Sequence, residues 1–110
     1  MNILINWLVM AIAVIVSAYI LPGVTLSGFG AALLVALVLG LLNIFIKPLL
    51  LILTLPINIL TLGLFTLVIN AAIILMASAI VPGFKVAGFW YAMLFGIVLS
   101  IVLYLINKAK

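Results

Sequence analysis

The chain has 110 residues, 73% of them hydrophobic and 4% charged, with a formal charge of +4 and no Asp, Glu or His. A water-soluble domain carries roughly a quarter charged residues, so this composition excludes a soluble fold and points to a bilayer as the solvent. With no Cys, His or carboxylate there is no disulfide framework, no ordinary metal site and no usual general acid or base, and the only cations are Lys47, Lys85, Lys108 and Lys110.

Residues 3–21 form the first apolar run, long enough for a membrane-spanning helix. Its amino end carries no Lys or Arg, and the run is longer than the apolar region of a cleaved leader, which predicts a retained anchor. Pro22 and Gly23 then stop the helix and supply a turn. A second span is expected over residues 29–46. It carries small residues at every fourth position, Gly28, Ala32, Ala36 and Gly40, which share one helical face and leave a groove for a neighbouring backbone.

Residues 47–61 are too apolar for a loop in water and too broken by Pro48 and Pro56 for a clean span. They read either as a re-entrant hairpin turning at Pro56, the preferred form, or as an element lying in the interface. In both forms the chain returns to the side it left. A third span is expected over residues 62–81 and a second turn at Pro82 and Gly83. A fourth span is expected over residues 89–107, with small residues again four apart: Gly88, Ala92, Gly96 and Ser100.

The two turns belong to a longer match. Ile20-Leu-Pro-Gly-Val-Thr-Leu-Ser-Gly-Phe29 aligns with Ile80-Val-Pro-Gly-Phe-Lys-Val-Ala-Gly-Phe89, sixty residues later. This predicts an internal duplication of a helix–Pro-Gly–helix unit, about residues 3–46 and 62–107, within one transmembrane domain of residues 1–110. The fold expected is all-α, four transmembrane helices packed about a pseudo-twofold axis along the membrane normal.

Polar side chains are few. Thr54, Asn58, Thr61 and Asn70 are the candidates for a polar pathway or, more simply, for hydrogen bonds that glue helices together. Asn6, Asn43 and Asn107 fall near helix ends, and Trp7, Tyr19, Trp90, Tyr91 and Tyr104 fit an interfacial aromatic belt. Lys85 fits an interface anchor. Three lysines on the side of the termini against one on the other predict cytoplasmic termini by the positive-inside rule. No nucleic-acid face is expected from four scattered lysines.

The run Lys47-Pro-Leu-Leu-Leu-Ile-Leu-Thr-Leu-Pro-Ile-Asn-Ile-Leu-Thr-Leu-Gly-Leu-Phe65, with Ile69-Asn-Ala71 and Pro82-Gly-Phe-Lys-Val-Ala-Gly-Phe-Trp90, resembles the small bacterial four-span proteins of phage holin superfamily IV. Lys47 stands where members often carry Arg. The resemblance implies a bacterial cytoplasmic membrane protein that forms homo-oligomers and opens a lesion for an endolysin. Two other readings stay open. One is a structural or regulatory protein that binds lipid or partner helices without conducting; the other is a small-solute or ion transporter. None of the three needs a cofactor or an enzymatic residue.

Overall fold

The computed structural model describes residues 3–61 and 63–109, which form six helices and a two-stranded ribbon. In chain order these are α1 (Ile3–Ile20), β1 (Val24–Leu26), α2 (Phe29–Phe45), α3 (Lys47–Leu53), α4 (Leu55–Leu60), α5 (Phe65–Ile80), β2 (Phe84–Val86) and α6 (Phe89–Ala109). The start expected for the third span falls on Leu62, outside the described residues; α5 itself begins at Phe65, after a turn in which Gly63 takes a left-handed φ of 88°.

The two Pro-Gly segments do more than turn. Each continues into a short strand, and the strands pair antiparallel in the register Val24↔Val86, Thr25↔Lys85 and Leu26↔Phe84. The Ser27 amide donates to the Gly83 carbonyl at 2.9 Å, and the Ala87 amide donates to the Gly23 carbonyl at 2.8 Å. The donors Ser27 and Ala87 stand sixty residues apart, and so do the acceptors Gly23 and Gly83, so each bond repeats the other. The ribbon answers a physical need, because a turn at the end of a hydrophobic bundle must satisfy its own backbone groups.

The ribbon also fixes the directions of the long helices. Both turns lie side by side at one end, so α1 and α5 run toward it and α2 and α6 run away from it. Helix α1 packs against α2 and α6, and α5 packs against the same two. Every neighbouring pair is therefore antiparallel. The central segment lies at the end away from the ribbon.

That segment is two short helices. Pro48 in the first turn of α3 has no N–H to continue the ladder of α2, and α2 and α3 meet at a 41° bend. The turn expected at Pro56 is displaced. Pro56 lies inside the first turn of α4, and the break falls earlier, at Thr54. The reason is steric: proline tolerates the start of a helix but crowds the turn before it.

By length and hydropathy, α1 and α6 can each cross a membrane, and the bent pair α2–α3 can make a third crossing; α5, with 16 residues, is apolar but shorter. At 1.5 Å per residue α5 rises about 24 Å, against a hydrocarbon layer of about 30 Å. The core is formed by Ala11 and Val14 of α1, Ala32 and Val35 of α2, Ile73 and Ala77 of α5, and Ala92 and Phe95 of α6. Val24 and Phe84 of the ribbon close it at one end, with the Phe84 ring centroid 5.5 Å from that of Phe95 at a tilt of 57°. The outer faces carry Ile12, Leu34, Leu41, Ile101 and Leu105, all exposed and apolar. Such a surface is stable only against lipid or another apolar partner.

The small-residue stripes divide into parts. Ala32, Ala36, Ala92 and Gly96 are buried and let helices approach, and a methyl added at Gly96 would lie 3.2 Å from Ile74. Gly28 and Gly88 do not serve that purpose. They stand just before α2 and α6 with φ of 155° and 158°, and nothing lies near a side chain built on either. Backbone geometry open chiefly to glycine explains them better than packing does. Gly40 is half-buried and Ser100 exposed.

Candidate functional site

The polar residues singled out from the sequence separate into two places. Three of the four meet at the junction of α3, α4 and α5. The Thr54 hydroxyl donates to the Leu50 carbonyl at 2.7 Å, and the Asn58 amide donates to Thr54 Oγ1 at 3.2 Å. Thr66, which sequence reasoning missed, completes the chain by donating its hydroxyl to Asn58 Oδ1 at 3.2 Å. Thr61 caps the turn: its hydroxyl donates to the Ile57 carbonyl at 2.9 Å and accepts from the Phe65 amide at 3.2 Å. The Asn58 carbonyl also accepts from the Gly63 amide at 2.7 Å. This network ties the broken central helices to the foot of α5, as buried or half-buried amides in an apolar medium require.

Asn70 takes no part in that network. It lies half-buried on α5 and lines a cavity of about 110 Å³ between the four long helices. The apolar lining includes Met10, Leu39, Ile73, Leu99 and Leu103; the polar lining is Asn43, Lys47, Asn70 and Ser100. Asn43 and Ser100 are exposed and Lys47 is half-buried, so the cavity meets the surface at the end of the bundle away from the ribbon. The Ser100 hydroxyl is already committed to the Gly96 carbonyl at 2.9 Å. The side-chain amides of Asn43 and Asn70 have no protein partner among the described residues.

Asn43 and Lys47 were legible as helix-end residues but not as parts of one site. Leu39, Asn43 and Lys47 are spaced by four, which keeps them on one line down α2 and into α3 despite the bend. That spacing was the available signal. Met10 and Asn70, Leu39 and Leu99, and Asn43 and Leu103 each stand sixty residues apart, yet each of these pairs lines the same cavity. The cavity therefore draws on three pairs of positions sixty residues apart in the chain. In two of these pairs one member is polar, Asn70 against Met10 and Asn43 against Leu103.

The aromatic residues also divide. Tyr19 and Trp90 are exposed beside the ribbon, as an interfacial belt requires. Trp7 is different: its indole N–H donates to the Leu33 carbonyl at 2.9 Å and links α1 to α2. Lys85 is exposed, opposite Thr25 in the ribbon, and Lys108 lies 5.8 Å from the centre of the Tyr104 ring at the far end of α6. Lys110 lies outside the described residues. Ser17 is buried in the ribbon half of the bundle, and its hydroxyl has no partner. Among the described residues no group of His, Cys, Asp or Glu could hold a metal ion.

Comparison with known proteins follows the same outline. An uncharacterized protein of Streptomyces coelicolor is 40% identical over 116 residues, covering 96% of this chain and 93% of the relative. The uncharacterized membrane protein YvlD of Bacillus subtilis is 40% identical over 108 residues, covering 97% of this chain and 87% of the relative. No solved structure matches the chain significantly. The sequence pattern of the family described as mycobacterial 4 TMS phage holin, superfamily IV, matches residues 1–105, and the chain belongs to that family of membrane proteins.

Proposed function

We propose that this chain is a four-span, non-enzymatic protein of the bacterial cytoplasmic membrane that acts as an assembly of identical copies and opens a path across the bilayer between them. In this reading α1, the bent pair α2–α3, α5 and α6 each cross. The helix–Pro-Gly–helix units of residues 3–46 and 62–107 are tandem copies, joined by residues 47–61 at the cytoplasmic side together with both termini.

The observation that carries the assembly is the closed interior. Val14, Val35, Phe84 and Phe95 fill the ribbon half of the bundle, all at 0% exposure. No aqueous path fits through a single chain there, so permeation by this protein requires an interface between chains. The outer groove between α1 and α2 supports such an interface. It is lined by Ile3, Asn6, Leu37, Gly40 and Ile44, and nothing lies within 4 Å of a side chain built at Gly40. A small residue beside an amide on a lipid-facing surface suits helix association in membranes.

Planar-bilayer recording on the purified chain, paired with chemical crosslinking in the same lipid, tests this. The expected result is conductance that rises more steeply than linearly with protein density, with crosslinked multimers. Silence at high protein load from a crosslink-negative monomer would defeat it. Single cysteines at Ala109 and Thr25 in this cysteine-free chain then test orientation, with labelling from opposite sides of sealed vesicles expected.

A second reading has its own support in the polar cavity: a regulatory or structural protein that binds lipid or a partner helix without conducting. A defined lipid or partner retained in native mass spectrometry, with no conductance, favours it. A transporter is the third reading, and loss of flux with intact folding in Asn70→Ala is its distinguishing result.

A further inference from the structure

The cavity at the lysine end has a charge balance that the protein does not complete by itself. The whole sequence contains no Asp or Glu. Lys47 is half-buried at its wall, so part of its hydration is lost without any acidic side chain to replace it. Removing a charge from water is unfavourable unless a counter-charge or several hydrogen bonds compensate. The two amides beside it, Asn43 and Asn70, are likewise without protein partners. One ammonium and two amides can offer several N–H donors around one small volume, and a donor-rich site with net positive charge selects an anion.

We propose that this cavity binds one phosphate group, with Lys47 as its ion partner and the side-chain amides of Asn43 and Asn70 as hydrogen-bond donors. A volume of about 110 Å³ suits a compact tetrahedral anion. The cavity reaches from Lys47 at the end of the bundle to Ile73 and Gly96 near the helix middles, and basic pockets between membrane helices are suited to anionic headgroups. The apolar walls of Leu39, Leu99 and Leu103 then face the less polar part of the ligand. The shared chemistry is a phosphate oxyanion, carried either by an anionic lipid or by free phosphate. The site requires neither assembly nor conduction, so it stands or falls apart from the reading of the protein as a pore.

The test uses the purified full chain in detergent with equal amounts of phosphatidylglycerol and phosphatidylcholine, read by native mass spectrometry. The wild type is expected to retain phosphatidylglycerol about tenfold more than phosphatidylcholine, the effect of one charge-assisted contact. Lys47→Met keeps the aliphatic stem and is expected to bring the two lipids level. Lys85→Met, at the opposite end, is expected to leave the preference intact. Should Lys47→Met fail to fold, Asn43→Leu at an exposed position takes its place, with a partial loss expected. In a second arm inorganic phosphate is titrated into lipid-stripped protein while the side-chain amide resonances of Asn43 and Asn70 are followed. Saturable shifts there, without a lipid preference, assign the site to free phosphate. The proposal is overturned if neither arm responds, or if Lys85→Met and Lys47→Met lower the lipid preference equally.

Discussion

The two ends of this bundle are held by different kinds of bond. At the ribbon end most links are backbone to backbone and come in like pairs sixty residues apart; one side-chain bond, from the Ser78 hydroxyl to the Phe84 carbonyl at 2.9 Å, joins them and has no counterpart at Ala18. Leu21 to Ser17 repeats as Val81 to Ala77, and Val24 to Leu21 as Phe84 to Val81. Ser27 to Gly83 is answered by Ala87 to Gly23. The burial of the strands repeats as well, since Val24 and Phe84 point inward while Thr25 and Lys85 point out. At the opposite end side-chain bonds through Thr54, Asn58, Thr61 and Thr66 supplement the backbone bonds, such as that from the Gly63 amide to the Asn58 carbonyl. Backbone bonds depend little on residue type and survive drift of the side chains. Side-chain bonds are specific to their residues. The ribbon end thus has the character of a scaffold, while the lysine end holds the cavity and the unmatched amides on which the proposed site rests.

That contrast can be attacked from either end. The largest effect is expected from Phe95→Ala, which empties the space against Phe84. A loss of about 3–5 kcal/mol is the usual result of removing a buried aromatic ring, measurable by unfolding in mixed micelles. Gly83→Ala should follow. Gly83 has a φ of 90°, and an added methyl would collide with the Ser27 side chain. Strain of this kind costs about 1–3 kcal/mol, and the exchange protection of the ribbon amides should fall with it.

Asn58→Leu attacks the other end. It removes the two hydrogen bonds made by the Asn58 side chain, to Thr54 and from Thr66, at about 0.6–2 kcal/mol in a membrane setting. Here the expected signature is local: faster hydrogen exchange in α3 and α4 with unchanged protection in the ribbon. Loss of protection at both ends would show that the two are one cooperative unit, and the contrast drawn above would fail. Trp7→Phe is the mildest, deleting the single bond to Leu33, for which about 0.6 kcal/mol is expected. It should loosen α1 against α2 without disturbing either end.

Much of this was legible in the amino-acid sequence. Apolar runs between Pro-Gly signals located the long helices to within a few residues, as with Ile3–Ile20 for the run at 3–21 and Phe89–Ala109 for the run at 89–107. The segment after Lys47 stood out because its prolines interrupt an apolar stretch; Thr54, Asn58 and Thr61 hydrogen-bond within it, while Asn70, considered with them, lies apart. The ribbon was not legible. Val-Thr-Leu and Phe-Lys-Val are only three residues each, and a strand that short exists only because its partner is held opposite it by four helices. Pro56 looked like the apex of a turn because proline breaks helices, but the break appears ahead of the ring and left the proline inside the next helix.

By itself, then, the sequence determined the solvent, the helices and their punctuation, because a chain with no acidic residue and few polar ones has no alternative to burying its backbone in helices within an apolar medium. Which polar groups meet was decided only by the tertiary structure. Asn70 could have joined Asn58 or Asn43 on spacing alone. The antiparallel closure of the ribbon sets the rotation and height of α5 against α2, and that closure turns Asn70 toward Asn43 and Lys47 while Thr66 takes the hydrogen bond to Asn58.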